Sequence, residues 1–423
     1  MPTIASPNPH QPDSRYAVFR LMVTLALMAT GAAGMYVVAV VLPQVQAEFQ
    51  VSRGDAALAY TAMMIGFGLG GVVMGRLADR FGITIPLLLG GLSLGTGFIM
   101  AGMAGSIWGF VIAHGLFIGM LGSSSTFAPL LADTSLWFVR RRGIAVAVCA
   151  SGNYLGGALW PPVVQQAVAA MGWRQTYIAI GVFSMVVMCG LALLMRQRPP
   201  PAQAVSRLPG ETHGPALPFG MKPAKAQFLL CIAGVGCCVA MAMPQVHIVA
   251  YCGDLGYGAA RGAEMLSLML ACGIVSRLVS GAICDRIGGL RTLLLGSALQ
   301  GVALLLFLPF DGLASLYVIA ALFGLFQGGI VPSYAIIVRE YFPVGEAGTR
   351  VGAVIMATMI GMALGGWLSG KIFDLTGSYH AAFINGIAWN LLNLAIVLYL
   401  LRKSGMLRRR PYAAGLGPET AGT

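Results

Sequence analysis

Along this chain, polar residues gather in short groups separated by long apolar runs. Runs able to cross a bilayer core, roughly 20 residues at helical rise, occur at 20–42, 57–75, 85–104, 107–131, 144–168, 176–195, 227–250, 263–283, 292–310, 314–338, 351–370 and 381–401. A backbone in lipid has no water to bond, so each run is expected to be a helix and the fold class an all-α membrane protein of twelve transmembrane helices. The chain is 57% hydrophobic and only 9% charged, which leaves no room for a sizeable aqueous domain. Its first partner is therefore the lipid bilayer.

Three stretches break the pattern. Residues 1–19 read as a disordered cytoplasmic tail, 196–224 as a Pro-rich basic cytoplasmic linker, and 403–423 as a second cytoplasmic tail. Between them lie two bundles of six helices, 20–195 and 225–402. The bundles repeat: Gly75-Arg-Leu-Ala-Asp-Arg-Phe-Gly82 recurs as Gly281-Ala-Ile-Cys-Asp-Arg-Ile-Gly288, 206 residues later. Trp137-Phe138 before Arg141 and Arg142 recurs loosely as Tyr341-Phe342 before Arg350, and Gly172-Trp173-Arg174 as Gly377-Ser378-Tyr379. Matched landmarks in the same order, with six spans per half, imply parallel repeats related by a pseudo-two-fold axis along the membrane normal.

The net charge of +12 does not point to nucleic acid, because its distribution is topological. Of 26 Lys and Arg, 21 fall on one set of alternate segments, 4 on the other, and one inside a span. The richer set belongs in the cytoplasm, with both termini inside and the protein multi-pass in the inner (plasma) membrane. Eight cysteines lie in or beside spans and read as packing residues, and Cys231, Cys237 and Cys238 lack metal-site spacing, so no metal and no cofactor is expected. Span one is too long for a signal peptide core, and no cleavage is expected. No nucleophile–base pair or phosphate-cradling loop is visible, so the chain is not read as an enzyme.

The residue inside a span is Arg277, at helical rise roughly 12 Å from the Asp285 end of span eight. Burying it costs about 2.5–3.5 kcal/mol on insertion scales, which marks it as a functional candidate. Its helical neighbours Gly273, Ser280, Gly281 and Cys284 are small and leave room for a ligand, and at Gly273 a pocket that is roomier or differently shaped is expected. A planar fork of donors suits one carboxylate. All fourteen acids fall in tails, loops or span ends, so no buried acid can carry a proton beside it. The titratable candidates are His247, roughly 5 Å below the outer end of span seven, and His114, roughly 10 Å down span four. Gln327 in span ten and Asn153 in span five are amides that could bind substrate or glue helices, and Tyr36 in span one and Phe117 in span four could wall a cavity or be lipid-facing core.

The two Gly-x-x-x-Asp-Arg-x-Gly loops resemble the signature loop of the major facilitator superfamily, over about residues 20–402. In that resemblance Gly75 and Gly82, with Gly288 as the copy, permit close helix approach and a tight turn. Asp79 and Arg80, like Asp285 and Arg286, can pair across helix ends and act as gates. One departure is that Ile83 and Thr84 stand where the family usually has a basic residue. Trp137-Phe-x-x-Arg-Arg-Gly143 onward to Gly152, Pro244-x-x-His247, Ser276-Arg277-Leu278 and Asp374-Leu-Thr-Gly-Ser-Tyr379 resemble the monocarboxylate transporter and oxalate–formate exchanger branch. That resemblance implies that Arg277 binds a substrate carboxylate.

The expected function is thus secondary transport of a small monocarboxylate of lactate or pyruvate size, moved with a proton by alternating access of two bundles. A monomer is expected, with a small organic anion as its soluble partner. The rivals are a proton-driven exporter of drug-like compounds on the same fold and a non-transporting membrane receptor. Span one lacks the acid common in such exporters, and Gly152 to Pro162 departs from their span-five signature, while a receptor would not need Arg277.

Overall fold

The computed structural model describes residues 12–138, 142–197, 217–343 and 346–404. Among them twelve helices are long and apolar enough to cross a membrane. These are span 1 (Arg15–Phe49), span 2 (Arg53–Phe81), span 3 (Thr84–Gly102), span 4 (Ile107–Trp137), span 5 (Gly143–Met171) and span 6 (Trp173–Leu194). The second bundle holds span 7 (Pro223–Asp254), span 8 (Ala259–Ile287), span 9 (Gly289–Leu306), span 10 (Leu313–Tyr341), span 11 (Gly348–Thr376) and span 12 (Tyr379–Lys403). Span 1 corrects the expected tail boundary: its helix starts at Arg15, capped by the Ser14 hydroxyl, which accepts the Ala17 N–H. Residues 1–11, 198–216 and 405–423, which hold the rest of the expected tails and most of the linker, lie outside the described residues.

The repeat seen in the sequence is also a repeat of backbone. Gly82 (φ 84°, ψ 167°) and Gly288 (φ 82°, ψ 161°) close spans 2 and 8 in one turn geometry, at a positive φ that disfavours a side chain. The helix interruptions repeat too. Span 4 widens into π-type turns over Ala113–Gly122, tightens over Ser123–Thr126 and restarts at Ala128. Span 10 breaks after Gln327 and restarts at Ile330, 206 residues beyond the break at Gly122–Ser123. Carbonyls freed by such breaks need partners in lipid. Ser123 donates to Gly31 O at the kink of span 1, Ser125 to Gly122 O and Thr126 to Ser123 O, while Ser333 donates to Gly329 O in span 10.

The bundles meet along two pairs of crossing helices, span 2 with span 11 and span 5 with span 8. At one end span 2 lies on span 11 so closely that a side chain at Gly370 would strike the Gly54 backbone. Tyr60 packs on Gly366, Thr61 donates to Ala363 O at 2.9 Å, and Gly68 meets Met356. Further along, a Cβ at Gly71, Gly75 or Gly352 would find nothing within 4 Å among the described residues. Spans 5 and 8 diverge in the same sense, from Ser267 on Ala158 O, through Tyr154 on Gly273, to open space at Gly281. The molecule is therefore closed at the end that carries Arg53 and open at the end that carries Asp79.

Candidate functional site

Arg277 sits midway along span 8 where the two bundles still touch. Its Nη1 donates to Ala150 O of span 5 at 2.9 Å, its Nε makes a long bond of 3.4 Å to Gly328 O at the break of span 10, and its guanidinium lies 4.3 Å from the Tyr154 ring centroid. The break in span 10 thus turns a backbone carbonyl toward the cation, a use of interrupted helices seen where they line a site. Among the described residues every ion pair is made by other groups, so Arg277 has neutral partners and no counter-anion. Arg277 is half-buried, and no acid among the described residues balances its charge.

Around it the structure assembles several of the expected residues. Tyr36 of span 1 donates to Asn153 Oδ1 of span 5 at 3.0 Å, and has Tyr60, Tyr154 and Arg277 as electrostatic neighbours. Gln327 ends the first half of span 10, beside Gly328, and its Oε1 accepts from Gln245 Nε2 of span 7 at 2.8 Å. That bond fixes the amide and leaves Gln327 Nε2 without a partner, as are the buried Ser276 Oγ and Tyr60 hydroxyl. Buried polar atoms without a hydrogen-bond partner thus occur on spans 2, 8 and 10 among the described residues.

Three expectations are corrected. The room expected at Gly273 is taken by Tyr154, whose ring would come within 3.0 Å of a Cβ there. Gly273 serves to let that ring lie over Arg277. His114 is held away from the site: Nδ1 meets Phe110 O at 2.8 Å, Nε2 meets the Tyr177 hydroxyl at 3.2 Å, and Phe98, Phe110, Trp173 and Tyr177 form one aromatic cluster inside the first bundle. Phe117 packs on Gly97 of span 3, also within that bundle.

The gate loops also differ from expectation. Asp79, Arg80, Asp285 and Arg286 are all exposed and make no ion pair among the described residues. Arg80 lies 5.2 Å from the ring of Phe81 instead, and Gly75 faces open space. At the Gly288 turn the capping group is Glu340 of span 10, which accepts the Gly289 N–H with both carboxylate oxygens.

The closed end is built around Arg53, the first residue of span 2, which no motif in the sequence singles out. Its guanidinium pairs with Asp254 of span 7 through both terminal nitrogens, donates to the Tyr379 hydroxyl of span 12, and lies 3.8 Å from the Phe373 ring centroid. The backbone N–H groups of Arg53 and Gly54 both donate to Asp374 of span 11 at 2.8 Å. An acid of the second bundle thereby caps the N-terminus of a helix in the first, where its charge also meets the favourable end of the helix dipole. Lys371 pairs with Asp55 at 3.7 Å beside it. His247 is joined to this cluster, with Nδ1 3.1 Å from the Tyr379 hydroxyl and Nε2 2.8 Å from Gly366 O.

Comparison with known proteins agrees with this architecture. The sequence profile of the Major Facilitator Superfamily matches residues 23–314 and 262–421. Monocarboxylate transporter 13 of Bos taurus is 29% identical over 341 residues, 78% of this chain and 76% of that protein. An MFS-type transporter of Aspergillus niger is 24% identical over 336 residues, 79% of this chain and 76% of its own length. Among solved structures, a bacterial homologue of the human lysosomal transporter Spinster, in an inward-facing occupied conformation, superposes with a TM-score of 0.69 at 13% identity, covering 96% of this chain and all of that one (100%). Two six-helix bundles, repeated Asp-Arg loops and a profile match over most of the sequence establish that this chain belongs to the Major Facilitator Superfamily, with relatives in its monocarboxylate transporter branch.

Proposed function

We propose that the protein is a secondary active transporter of a small monocarboxylate of lactate or pyruvate size, coupled to protons and working by alternating access. The observation that carries this reading is Arg277, a cation at the contact of the two bundles that has only neutral partners and a donor fork matched to one carboxylate. The similarity to monocarboxylate transporter 13 supports it. The charge asymmetry of the loops supports reading the Asp79 end and both termini as cytoplasmic, and on that reading the conformation described is open to the cell interior. Substrate would meet Arg277 from that side, beside Tyr36, Asn153 and Gln327. The test is uptake of radiolabelled acids into proteoliposomes under an imposed pH gradient. Monoacid accumulation that follows the gradient supports the reading, and failure to move any monoacid while a drug-like compound is extruded overturns it.

A further inference from the structure

At the closed end every hydrogen-bond role is fixed by chemistry. Gly366 O can only accept, so His247 Nε2 carries a proton. The Arg53 guanidinium can only donate, so the Tyr379 hydroxyl accepts from it and turns its own proton to His247 Nδ1. That nitrogen must then be bare, and the closed end holds a neutral imidazole. A proton on Nδ1 would leave the buried Tyr379 hydroxyl with two donors facing it and no acceptor for its own hydrogen.

The groups belong to different bundles. Arg53 is on span 2, whereas His247, Tyr379, Asp254 and Asp374 are all on the second bundle. When the bundles separate at this end, Arg53 leaves, water enters, and Asp254 and Asp374 lose the cation and the two N–H groups they held. His247 is within electrostatic reach of both acids and of Arg53. Its remaining titratable surroundings are Tyr379 of span 12, Tyr60 of span 2 across Gly366, and Tyr251 on its own helix. Span 8 meets this part of span 7 through Gly262, which carries none.

We propose that His247 is a proton-binding site that exchanges its proton for the Arg53 guanidinium each time this end closes. With the Arg53 end open, the imidazole holds a proton beside two carboxylates; with that end closed, the arginine takes its place. Protonation and closure therefore exclude one another through Tyr379. This deepens the proton coupling proposed above and rests on it for its part in transport.

The test reads conformation without substrate, so it can fail while monocarboxylate uptake stands, or hold while uptake fails. Genetically encoded spin labels at the exposed Ala47 and Leu375, on opposite bundles at the Arg53 end, report open and closed populations in nanodiscs by their separation. One proton bound by the open form alone raises the open-to-closed ratio by up to about tenfold for each unit of pH lowered, and the slope vanishes once the imidazole is neutral in both forms. His247→Gln keeps a donor for Gly366 and an acceptor for Tyr379 but cannot be protonated, and its ratio is expected to be flat across the histidine range. Tyr379→Phe, which cuts the link to Arg53, is expected to lose most of the slope. No slope in the wild type, or a full slope in either variant, overturns the proposal; a full slope in His247→Gln would pass the proton to Asp254 or Asp374.

Discussion

Replacing Arg277 by lysine keeps the charge and changes its shape, so it separates a carboxylate clamp from a mere counter-ion. The guanidinium now contacts Ala150 O, Gly328 O and the Tyr154 ring together. A lysine could hold one carbonyl and stay charged, so the bundles should still pack. With substrate bound it would offer one donor line where arginine offers two. A lost charge-assisted bond is worth about 1.5–3 kcal/mol, and a weakened stack on Tyr154 about 0.5–1 kcal/mol. Together these predict a loss of roughly 2–4 kcal/mol, or about 30- to 700-fold in affinity. Equilibrium binding of a labelled monoacid to purified wild type and Arg277→Lys, with uptake at equal membrane abundance, measures it. Wild-type affinity in the variant would refute the clamp.

Two further outcomes follow from particular contacts. Arg20 and Asp133 form a bidentate ion pair that is almost fully buried between spans 1 and 4, and Arg20 also donates to Met195 O; Asp133→Asn should lower stability by about 3–5 kcal/mol, read by urea or thermal unfolding in detergent, because the arginine is left buried without its anion. At Gly273 an added methyl would press on Tyr154, so Gly273→Ala should weaken monoacid binding several-fold with unfolding changed by no more than about 1–3 kcal/mol, and unchanged binding would show that the ring over Arg277 does not shape the site.

Much of the fold was legible because a bilayer imposes a length and a composition on each span, and because the Asp-Arg loop occurs twice at one offset. Arg277 stood out for the same reason, as a charge where charges are costly. What stayed hidden was set by contacts between bundles, which no local pattern encodes. Gly273 reads in sequence as empty space, yet its partner Tyr154 lies on another helix more than a hundred residues earlier. Arg53 reads as an ordinary loop cation, and its importance comes from Asp254, Asp374 and Tyr379, which converge on it from three helices of the other bundle. His114 shows the converse. A histidine in a span attracts a functional reading, but four aromatic rings and two hydrogen bonds give it a packing role.

The central claim is that one cation receives one carboxylate. Span 11 carries no basic residue between Val351 and Gly370, and Lys371 is engaged with Asp55 at the closed end, so among the described residues span 11 offers Arg277 no second cation. A dianion would keep one carboxylate desolvated and unpaired, at a penalty of several kcal/mol. The direct measurement is competition binding to the purified protein, pairing each monoacid with the diacid of similar length at a pH where both are fully ionised. The monoacids are predicted to bind at least tenfold more tightly in every pair, and tighter binding of the diacids would contradict a site built on Arg277 alone.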